Sequence, residues 1–346
     1  MALQQVIEVY ELLDSAKVNG RQVASLLRKR GLRDVKVLPI RGKGGKTDSI
    51  RTLIPGASGK KAGGHAPTLG IIGRLGGVGA RPQVIGLVSD ADGAIAAISA
   101  ALKLADMKKR GDLLTGDVII TTHICPNAPT LPHEPVPFMG SWVDMRTLND
   151  YEVSAEMDAI LSLDTTKGNR VINQRGFAIS PVTKEGYILK VSDDLLRIME
   201  ITTGRMPFVF PITTQDITPY GNGLFHLNSI MQPAVATSAP VVGVAITAQA
   251  TVPGCATGAS HPVDIEEAVR FSIEVGKLFG AGKCRFYDEE EFAKIVRLYG
   301  PMTHLQTYGV GAEPQKASRG AKESRRGRIP HFRNSKKRFP PLPPED

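Results

Sequence analysis

The sequence predicts an α/β fold, a three-layer α/β/α sandwich with a mostly parallel central sheet. Runs of aliphatic and β-branched residues, which suit buried strands, alternate along the chain with segments of helical periodicity. Hydrophobic residues make up 42% and charged residues 22% of the 346 residues, a balance typical of a globular protein with a sizeable core. We therefore expect a single α/β domain over residues 1–312.

The chain is predicted to begin with two helices and a strand. The helices cover Leu3–Leu13 and Asn19–Arg30, and Gly31 ends the second of them. The first helix carries acidic residues within its apolar pattern, which is atypical of a signal peptide. A short strand over Val35–Ile40 follows the second helix.

The basic, glycine-rich stretch 41–64 comes next and is predicted to be a flexible surface loop. Its Gly45, Lys46 and Thr47 resemble the end of a phosphate-binding loop. That motif needs a glycine five residues before Gly45, where this chain has Ile40, and a helix after Thr47, where no helical pattern is present. A phosphate site is therefore the less favoured of the two interpretations.

The remainder of the chain alternates strands with helices. The predicted strands are 69–75, 84–88, 118–124, 160–163, 187–191, 208–210 and 241–246. The predicted helices are 94–108, 193–203 and 264–279, the first with a broad apolar stripe. In folds of this kind, sites form in loops beyond the carboxyl ends of strands, so functional side chains are expected there.

The positive charge of the chain is concentrated in its last segment. The net charge is +9, and residues 313–346 contribute +6 of it through ten Lys and Arg against four acidic residues. The segment has too few apolar residues to order itself and is predicted to be a disordered basic tail. It could attract RNA, but only Phe332 and Phe339 offer stacking surface, so nucleic acid is not the favoured partner.

Cysteine use and hydropathy indicate a reducing, aqueous compartment. Cys125, Cys255 and Cys284 are widely spaced and form neither a disulfide framework nor a CxxC metal motif. No window approaches about 18 continuous apolar residues, as a membrane span would require. We predict a cytoplasmic protein with no membrane partner, and homo-oligomerisation stays open.

Four candidate metal ligands stand at boundaries between predicted elements. His65 precedes a strand, Asp90 follows a strand, Asp164 ends another strand and His261 precedes the last long helix. Each alone has a structural explanation, since a lone histidine is often only hydrogen-bonded and an aspartate before a helix is often its N-cap. Together, two imidazoles and two carboxylates are donors that a borderline divalent ion such as zinc prefers.

The order of these segments resembles that in the co-catalytic zinc aminopeptidases, from about residue 65 to residue 280. The segments SDADGAIAAISAALKLADM, AILSLDTTKG and SHPVDIEEAVRFSIEVGKLF are similar to those that carry the bridging aspartate, the terminal aspartate and the last histidine of that family. The resemblance implies an aminopeptidase-like fold. It also implies that His65, Asp90, Asp164 and His261 hold one or two divalent ions, with zinc favoured over manganese or cobalt.

The whole chain also resembles an uncharacterised prokaryotic family known only as domain of unknown function 1177. The matching segments are SDADGAIAAISAAL, ITTHICPNAP, ITTQDITPYGNG and CATGASHPVDIEEA. This second resemblance implies no activity.

Two departures from the aminopeptidase pattern affect the expected catalytic base. Pro67 stands where the peptidases have an aspartate that orients a metal ligand. Pro126 and Asn127 stand where they have two adjacent glutamates, one the general base and one a metal ligand. Asn127 is then a candidate metal ligand, and His123 and Glu134 are candidate catalytic groups. His123 is equally well explained as a histidine packed in the sheet.

The segment ITTQDITPYGNG resembles the peptidase loop that lies beside the substrate. Gln215, Asp216, Tyr220 and Asn222 are therefore candidate substrate contacts, with a tight turn as the alternative. We predict a metal-dependent hydrolase of small peptides or another amide substrate, with an atypical or weakened general base. A peptidase-like protein that binds metal or peptide without turnover ranks second, and a nucleic-acid binder acting through the basic tail ranks third.

Overall fold

The computed structural model describes residues 1–15, 17–78, 87–131, 138–166, 168–249 and 260–309. Its helices are α1 (Leu3–Leu13), α2 (Gly20–Lys29), α3 (Asp92–Lys109), α4 (Met145–Glu152), α5 (Asp193–Thr203), α6 (Pro262–Gly280) and α7 (Glu289–Tyr299). Its strands are β1 (Val35–Arg41), β2 (Lys46–Ile54), β3 (Leu69–Gly73), β4 (Val118–Ile124), β5 (Thr130–Leu131), β6 (Phe138–Met139), β7 (Ala159–Thr165), β8 (Gly176–Ile179), β9 (Thr183–Lys184), β10 (Tyr187–Ile188) and β11 (Val241–Thr247). Among the helices in these ranges, none combines the length and the apolar character that crossing a membrane requires.

Local capping explains where several helices begin. The side chain of Asn19 accepts hydrogen bonds from the backbone at the start of α2, and Gln22 completes a capping box. The hydroxyl of Ser192 caps α5 in the same way, and Asp288 caps α7. The first residue of each of these helices is therefore set by residues next to it in the sequence.

Nine strands form one mixed sheet in the order β1-β2-β4-β3-β7-β11-β9-β10, with β8 paired to β11. The pairs β3–β4, β3–β7 and β7–β11 are parallel. The pairs β1–β2, β2–β4, β8–β11, β9–β11 and β9–β10 are antiparallel. The predicted α/β class is confirmed, but the sheet is only partly parallel. The antiparallel pairs were not predicted because the outer strands are short or polar. The residue pattern of such a strand does not reveal whether it runs parallel or antiparallel to its neighbour.

Both faces of the sheet are buried, which explains why its central strands are apolar throughout. On β7, Leu161 and Leu163 join a core cluster with residues of α1, α3 and α6. Ile160, which precedes Leu161, points to the other face and joins Ile230 and Met231 of a 3-10 segment, Ser229–Ala236. The central strands thus position their carboxyl ends between two packed layers.

The stretch 41–64 contains a strand in place of the loop predicted there. β2 lies between β1 and β4 and pairs antiparallel with both. Most residues of β2 are buried, and its pattern KTDSIRTLI has the β-branched residues of a strand. Gly42 lies in the turn that precedes β2 and packs against Trp142. A Cβ at Gly42 would lie 1.7 Å from the Trp142 carbonyl oxygen. The loop prediction is therefore wrong for residues 46–54, because the neighbouring glycines masked a strand pattern.

Three other predicted strands are only partly observed, and the first of them, 187–191, is reduced to β10. Residues 84–86 of the predicted strand 84–88 lie outside the described residues, and Leu87 makes only an isolated bridge. The predicted strand 208–210 is reduced to a bridge between Val209 and Ile179. The predicted tail, 313–346, lies outside the described residues as well.

Two glycines of α6 should respond oppositely to replacement by alanine. At Gly276, in the helix interior, an added Cβ makes only ordinary contacts of 3.6 to 3.7 Å, so alanine should raise the free energy of unfolding by about 0.5–1 kcal/mol. At Gly280, the last helical residue, the same Cβ would lie 2.5 Å from the backbone nitrogen of Gly116, so alanine should lower it. Urea denaturation of both variants measures the difference, and effects of the same sign would contradict this packing.

Candidate functional site

The crossover point of the sheet lies between β3 and β7. The connection from β3 through α3 leads to β4 on one side, whereas the chain leaving β7 leads to β11 on the other side. Such a switch opens a crevice at the carboxyl ends of the two strands. Arg74 directly follows β3 and Asp164 lies near the end of β7, so a cation and a carboxyl group flank this crevice.

Two hydrogen bonds orient the carboxyl group of Asp164. Its Oδ1 accepts from the backbone N–H of Thr165 at 2.7 Å, and its Oδ2 accepts from the hydroxyl of Ser229 at 3.3 Å. Burial raises the pKa of Asp164 to about 7, against these hydrogen bonds and the charge of Arg74, which lower it. The group therefore exchanges its proton near neutral pH, which suits an acid–base residue.

Arg74, Glu152 and His123 form a buried ionic cluster beside the crevice. Arg74 Nη1 donates to Glu152 Oε2, and His123 Nδ1 lies against Glu152 Oε1, each at 2.5 Å. The exposed fraction of each side chain is 3% or less. Burial would raise the pKa of Glu152, but the charges and hydrogen bonds of Arg74 and His123 outweigh it and the pKa is lowered. Glu152 is therefore ionised and balances the buried guanidinium.

Hydrogen bonds connect this cluster to the loop 213–228. Arg74 Nη2 donates to Asn149 Oδ1 at 2.5 Å, and Asn149 Nδ2 donates to the backbone oxygen of Gln232 at 3.0 Å. The side-chain oxygen of Gln232 accepts from the backbone N–H of Tyr220 at 3.1 Å. The position of the guanidinium is thereby coupled to α4, to the segment 229–236 and to the loop.

A cleft of about 560 Å³ opens beside Asp164. Hydroxyl and amide side chains of its lining alternate with apolar ones. The lining residues are Asp164, Thr165, Thr166, Asn169, Arg170, Val171, Ile172, Phe210, Pro211, Thr213, Leu227, Asn228, Ser229 and Ile230. This size and mixed lining are typical of a site for a small molecule.

Asp216, predicted to contact substrate, organises the loop 213–228. Its buried carboxylate accepts hydrogen bonds from the backbone N–H groups of Thr213, Leu227 and Asn228. Three of the residues it holds line the cleft. Asp216 therefore shapes the cleft through these neighbours.

The other predicted substrate contacts lie on the same loop. Gln215 is exposed, and Asn222 is used within the loop, where its amide donates to the Thr218 hydroxyl at 2.7 Å. Burial raises the pKa of Tyr220 to about 12, with a further increase from the charge of Asp164, so the phenol keeps its proton. Tyr220 lines a second cavity, of about 380 Å³, together with Gln232. Substrate binding by these residues stays a prediction.

His65 lies at the opposite edge of the sheet from Asp164 and His261. It precedes β3, whereas Asp164 is near the end of β7, which runs parallel beside β3. α6 begins after His261 and ends at Gly280, which packs against Gly116 ahead of β4. A helix of 19 residues spans about 28 Å, so the structure does not bring His65 and His261 together.

The other predicted ligands lie at the carboxyl edge of the sheet. Asp90 is buried in a 3-10 turn before α3, Asn127 is exposed after β4, and His261 is half-exposed at the start of α6. The starts of α3 and α6 do meet, because Ser260 Oγ donates to Asp92 Oδ1 at 2.5 Å. Asp90, Asn127, Asp164 and His261 therefore stand at one edge of the sheet and His65 does not, and metal binding by any of them stays a prediction.

The described residues do not fit the zinc site that the aminopeptidase resemblance implies. Within the ranges given above, no group of three or more His, Cys, Asp or Glu side chains is arranged to hold a metal ion. Arg74 also places a permanent positive charge near Asp164, which opposes the binding of a second cation. Glu134, the predicted base, lies outside the described residues.

Sequence reasoning missed Arg74, Glu152 and Ser229. A signal existed for Arg74, which is a charged residue directly after a fully buried strand. Glu152 ends a helix that was not predicted, and Ser229 begins an irregular 3-10 segment. Neither position has a periodic pattern that could have revealed it.

Comparison with known protein families matches residues 39–309 to a family described as "Protein of unknown function (DUF1177)". No curated protein matches the chain. The family match includes Arg74, Glu152 and Asp164 and every residue that lines the cleft. Since the match covers well over half of the sequence, the chain belongs to the DUF1177 family.

Proposed function

We propose that this protein hydrolyses amide bonds in small substrates, such as short peptides, in the cleft beside Asp164. The observation that carries the proposal is a buried carboxyl group at the crossover point of the sheet, in the lining of a cleft of about 560 Å³. Reactive groups of α/β sheets gather at this position. A cleft of this size encloses a small molecule rather than a folded chain.

Amide hydrolysis requires a proton to leave the attacking water and a proton to reach the departing nitrogen. The ionised form of Asp164 can accept the first as the water oxygen bonds to the carbonyl carbon. The protonated form can then donate it to the nitrogen as the C–N bond breaks. Both forms coexist near neutral pH because burial raises the pKa of Asp164 to about 7. The hydrogen bonds from Thr165 and Ser229 hold the carboxyl group in one orientation throughout.

The rest of the lining favours an amide over a phosphate substrate. Threonine, serine and asparagine side chains can donate to a carbonyl oxygen and accept from an amide N–H. Ile172, Phe210 and Ile230 supply apolar contact for a substrate side chain. A polyphosphate or nucleic acid would need several cations, whereas the described residues of the lining include one arginine and no lysine.

Replacing Asp164 with asparagine should lower kcat/KM for amide substrates by about 10²–10⁴-fold, because asparagine cannot exchange a proton. Mass-spectrometric screening of dipeptides and N-acyl amino acids would identify the substrate for this comparison. The control is Asp158→Asn, the same substitution just before the start of β7, where the carboxylate pairs with Lys60 at the surface. The Asp158→Asn variant should hydrolyse the substrate at the wild-type rate. A wild-type protein inactive on the whole panel would sink the proposal.

Removal of divalent ions should leave this activity unchanged, since the proposed proton transfers use the Asp164 carboxyl group and the permanent charge of Arg74 opposes a cation beside it. Activity measured with and without a chelator, and after zinc addition, tests this point. If the chelator abolishes the activity and zinc restores it, residues outside the described ranges, such as Glu134, complete a metal site. That result would restore the metal-dependent hydrolase that the aminopeptidase resemblance implies.

A peptide-binding protein without turnover is the second candidate. The exposed apolar side chains Leu224, Phe225 and Leu227 favour it, since they offer apolar contact area on the loop 213–228 and Leu227 also lines the cleft. This alternative predicts peptide binding, seen as a thermal shift, that the Asp164→Asn substitution leaves unchanged. Turnover of any panel substrate would decide against it.

We propose, finally, that the architecture is the three-layer one of the zinc aminopeptidases, without their full set of ligands. The helices α1, α3 and α6 cover one face of the sheet, and α4 with the segment 229–236 covers the other. The order of the matched segments in the sequence supports the same relationship. Superposition of an experimental structure on an aminopeptidase would test it.

A further inference from the structure

Arg170 distinguishes the cleft from an entirely neutral pocket. Apart from Asp164, it is the one ionisable side chain among the described residues that line the cleft. Asp164 is buried, and its two oxygens already accept hydrogen bonds from Thr165 and Ser229. Arg170 is exposed, so its guanidinium is accessible to a ligand.

The backbone holds Arg170 in a closed turn. Asn169 Oδ1 accepts from the N–H groups of Val171 and Ile172 at 2.8 and 3.0 Å, and the Asn169 N–H donates to the Ile172 oxygen at 2.7 Å. Ile172 is buried in the core and anchors the turn. Nearby Arg175 pairs with Asp264 at 3.6 Å, but within the described part of the chain no acidic group pairs with Arg170. The turn therefore presents an available guanidinium to the cleft.

A guanidinium whose described neighbours in the lining are uncharged, apart from Asp164, favours an anionic ligand, and its planar fork matches a carboxylate in two parallel hydrogen bonds. We propose that the substrate carries a free carboxylate, which Arg170 binds while the scissile amide lies at Asp164. The substrate class is then the N-acyl amino acids and short peptides with a free carboxyl end. This inference rests on the proposed amide hydrolysis, to which it adds the recognition group.

Binding of benzoylglycine and of its neutral analogue benzoylglycinamide tests the role of Arg170. The full chain carrying Asp164→Asn serves as host, because it should not turn either compound over. By isothermal titration calorimetry, benzoylglycine should bind about tenfold or more tightly than the amide. Addition of Arg170→Gln should abolish this preference. The matched control is Arg197→Gln, which removes the same charge from an exposed position of α5 outside the cleft and should preserve it.

Three results would overturn the carboxylate assignment. They are equal binding of the two compounds, no binding of either at millimolar concentration, and a preference that Arg170→Gln leaves intact. If Arg170→Gln and Arg197→Gln reduced the preference for benzoylglycine equally, the assignment would also be overturned, since the preference would then reflect net charge alone. The assay does not depend on turnover, so absence of wild-type hydrolysis would sink the proposed function while leaving carboxylate binding measurable.

Discussion

Replacing Glu152 with glutamine should lower the free energy of unfolding by about 3–5 kcal/mol, because it leaves the buried guanidinium of Arg74 without a counter-ion. The Glu152 carboxylate also accepts from His123, and glutamine would present an NH₂ group to one of the two donors. Urea denaturation followed by circular dichroism measures the change. The slope of the free energy of unfolding against urea concentration should be the same in both proteins, since they expose a similar surface on unfolding.

Glu156→Gln is the matched control for that substitution. Glu156 also pairs with an arginine, Arg51, but its side chain is 61% exposed, so the loss should be within about 1 kcal/mol. The comparison separates the effect of burial from that of ion pairing as such. Comparable losses in the two variants would show that the Arg74 cluster is not desolvated as described.

The stability of the wild type relative to Asp164→Asn should fall as the pH rises from about 5 to 8. Burial raises the pKa of Asp164 from an ordinary 3.8 to about 7, so in this range the folded state binds a proton that the unfolded state has released. Folding then becomes less favourable as the pH rises, until the folded group also ionises. The three-unit shift corresponds to at most about 4 kcal/mol, and asparagine, which does not titrate, removes the whole effect.

Differential scanning calorimetry of both proteins at several pH values would measure this relative change. The difference between the two proteins reports on Asp164 and its ionisable neighbours, because titrating groups away from this carboxyl group contribute equally to both. A difference that stays constant between pH 5 and 8 would mean that the carboxyl group is solvated or ionised throughout. Asp164 would then be a poor choice for proton transfer at neutral pH.

Local patterns were sufficient for most of the helices and central strands. The helices α1 and α5 and the strand β4 have the predicted bounds, because helical periodicity, the Ser192 cap of α5 and runs of β-branched residues act over a few positions. β2 was missed because neighbouring glycines suggested a loop, although its own β-branched residues are typical of a strand. Its place in the sheet is set by pairing with β1 and with β4, which lies about 70 positions away in the sequence.

The candidate site shows the same distinction between what local patterns predict and what distant contacts decide. Asp164 was singled out from the sequence because it ends a buried strand, and the structure places it at the crossover point. His65 was assigned to the same site from motif order, but it precedes its strand and so lies at the other edge. Motif order alone does not say at which end of a strand a residue stands, and the predicted strand start at Leu69, which the structure has, already placed His65 before its strand.

By itself, the sequence determined the α/β class, the apolar central strands and the presence of carboxyl groups at their ends, since these follow from periodicity and from local capping. Only the tertiary structure decided strand direction, the exclusion of His65 and the burial of Arg74 with Glu152. These properties depend on which distant segments become neighbours, and the pKa of a carboxyl group such as Asp164 depends on the desolvation that those neighbours impose.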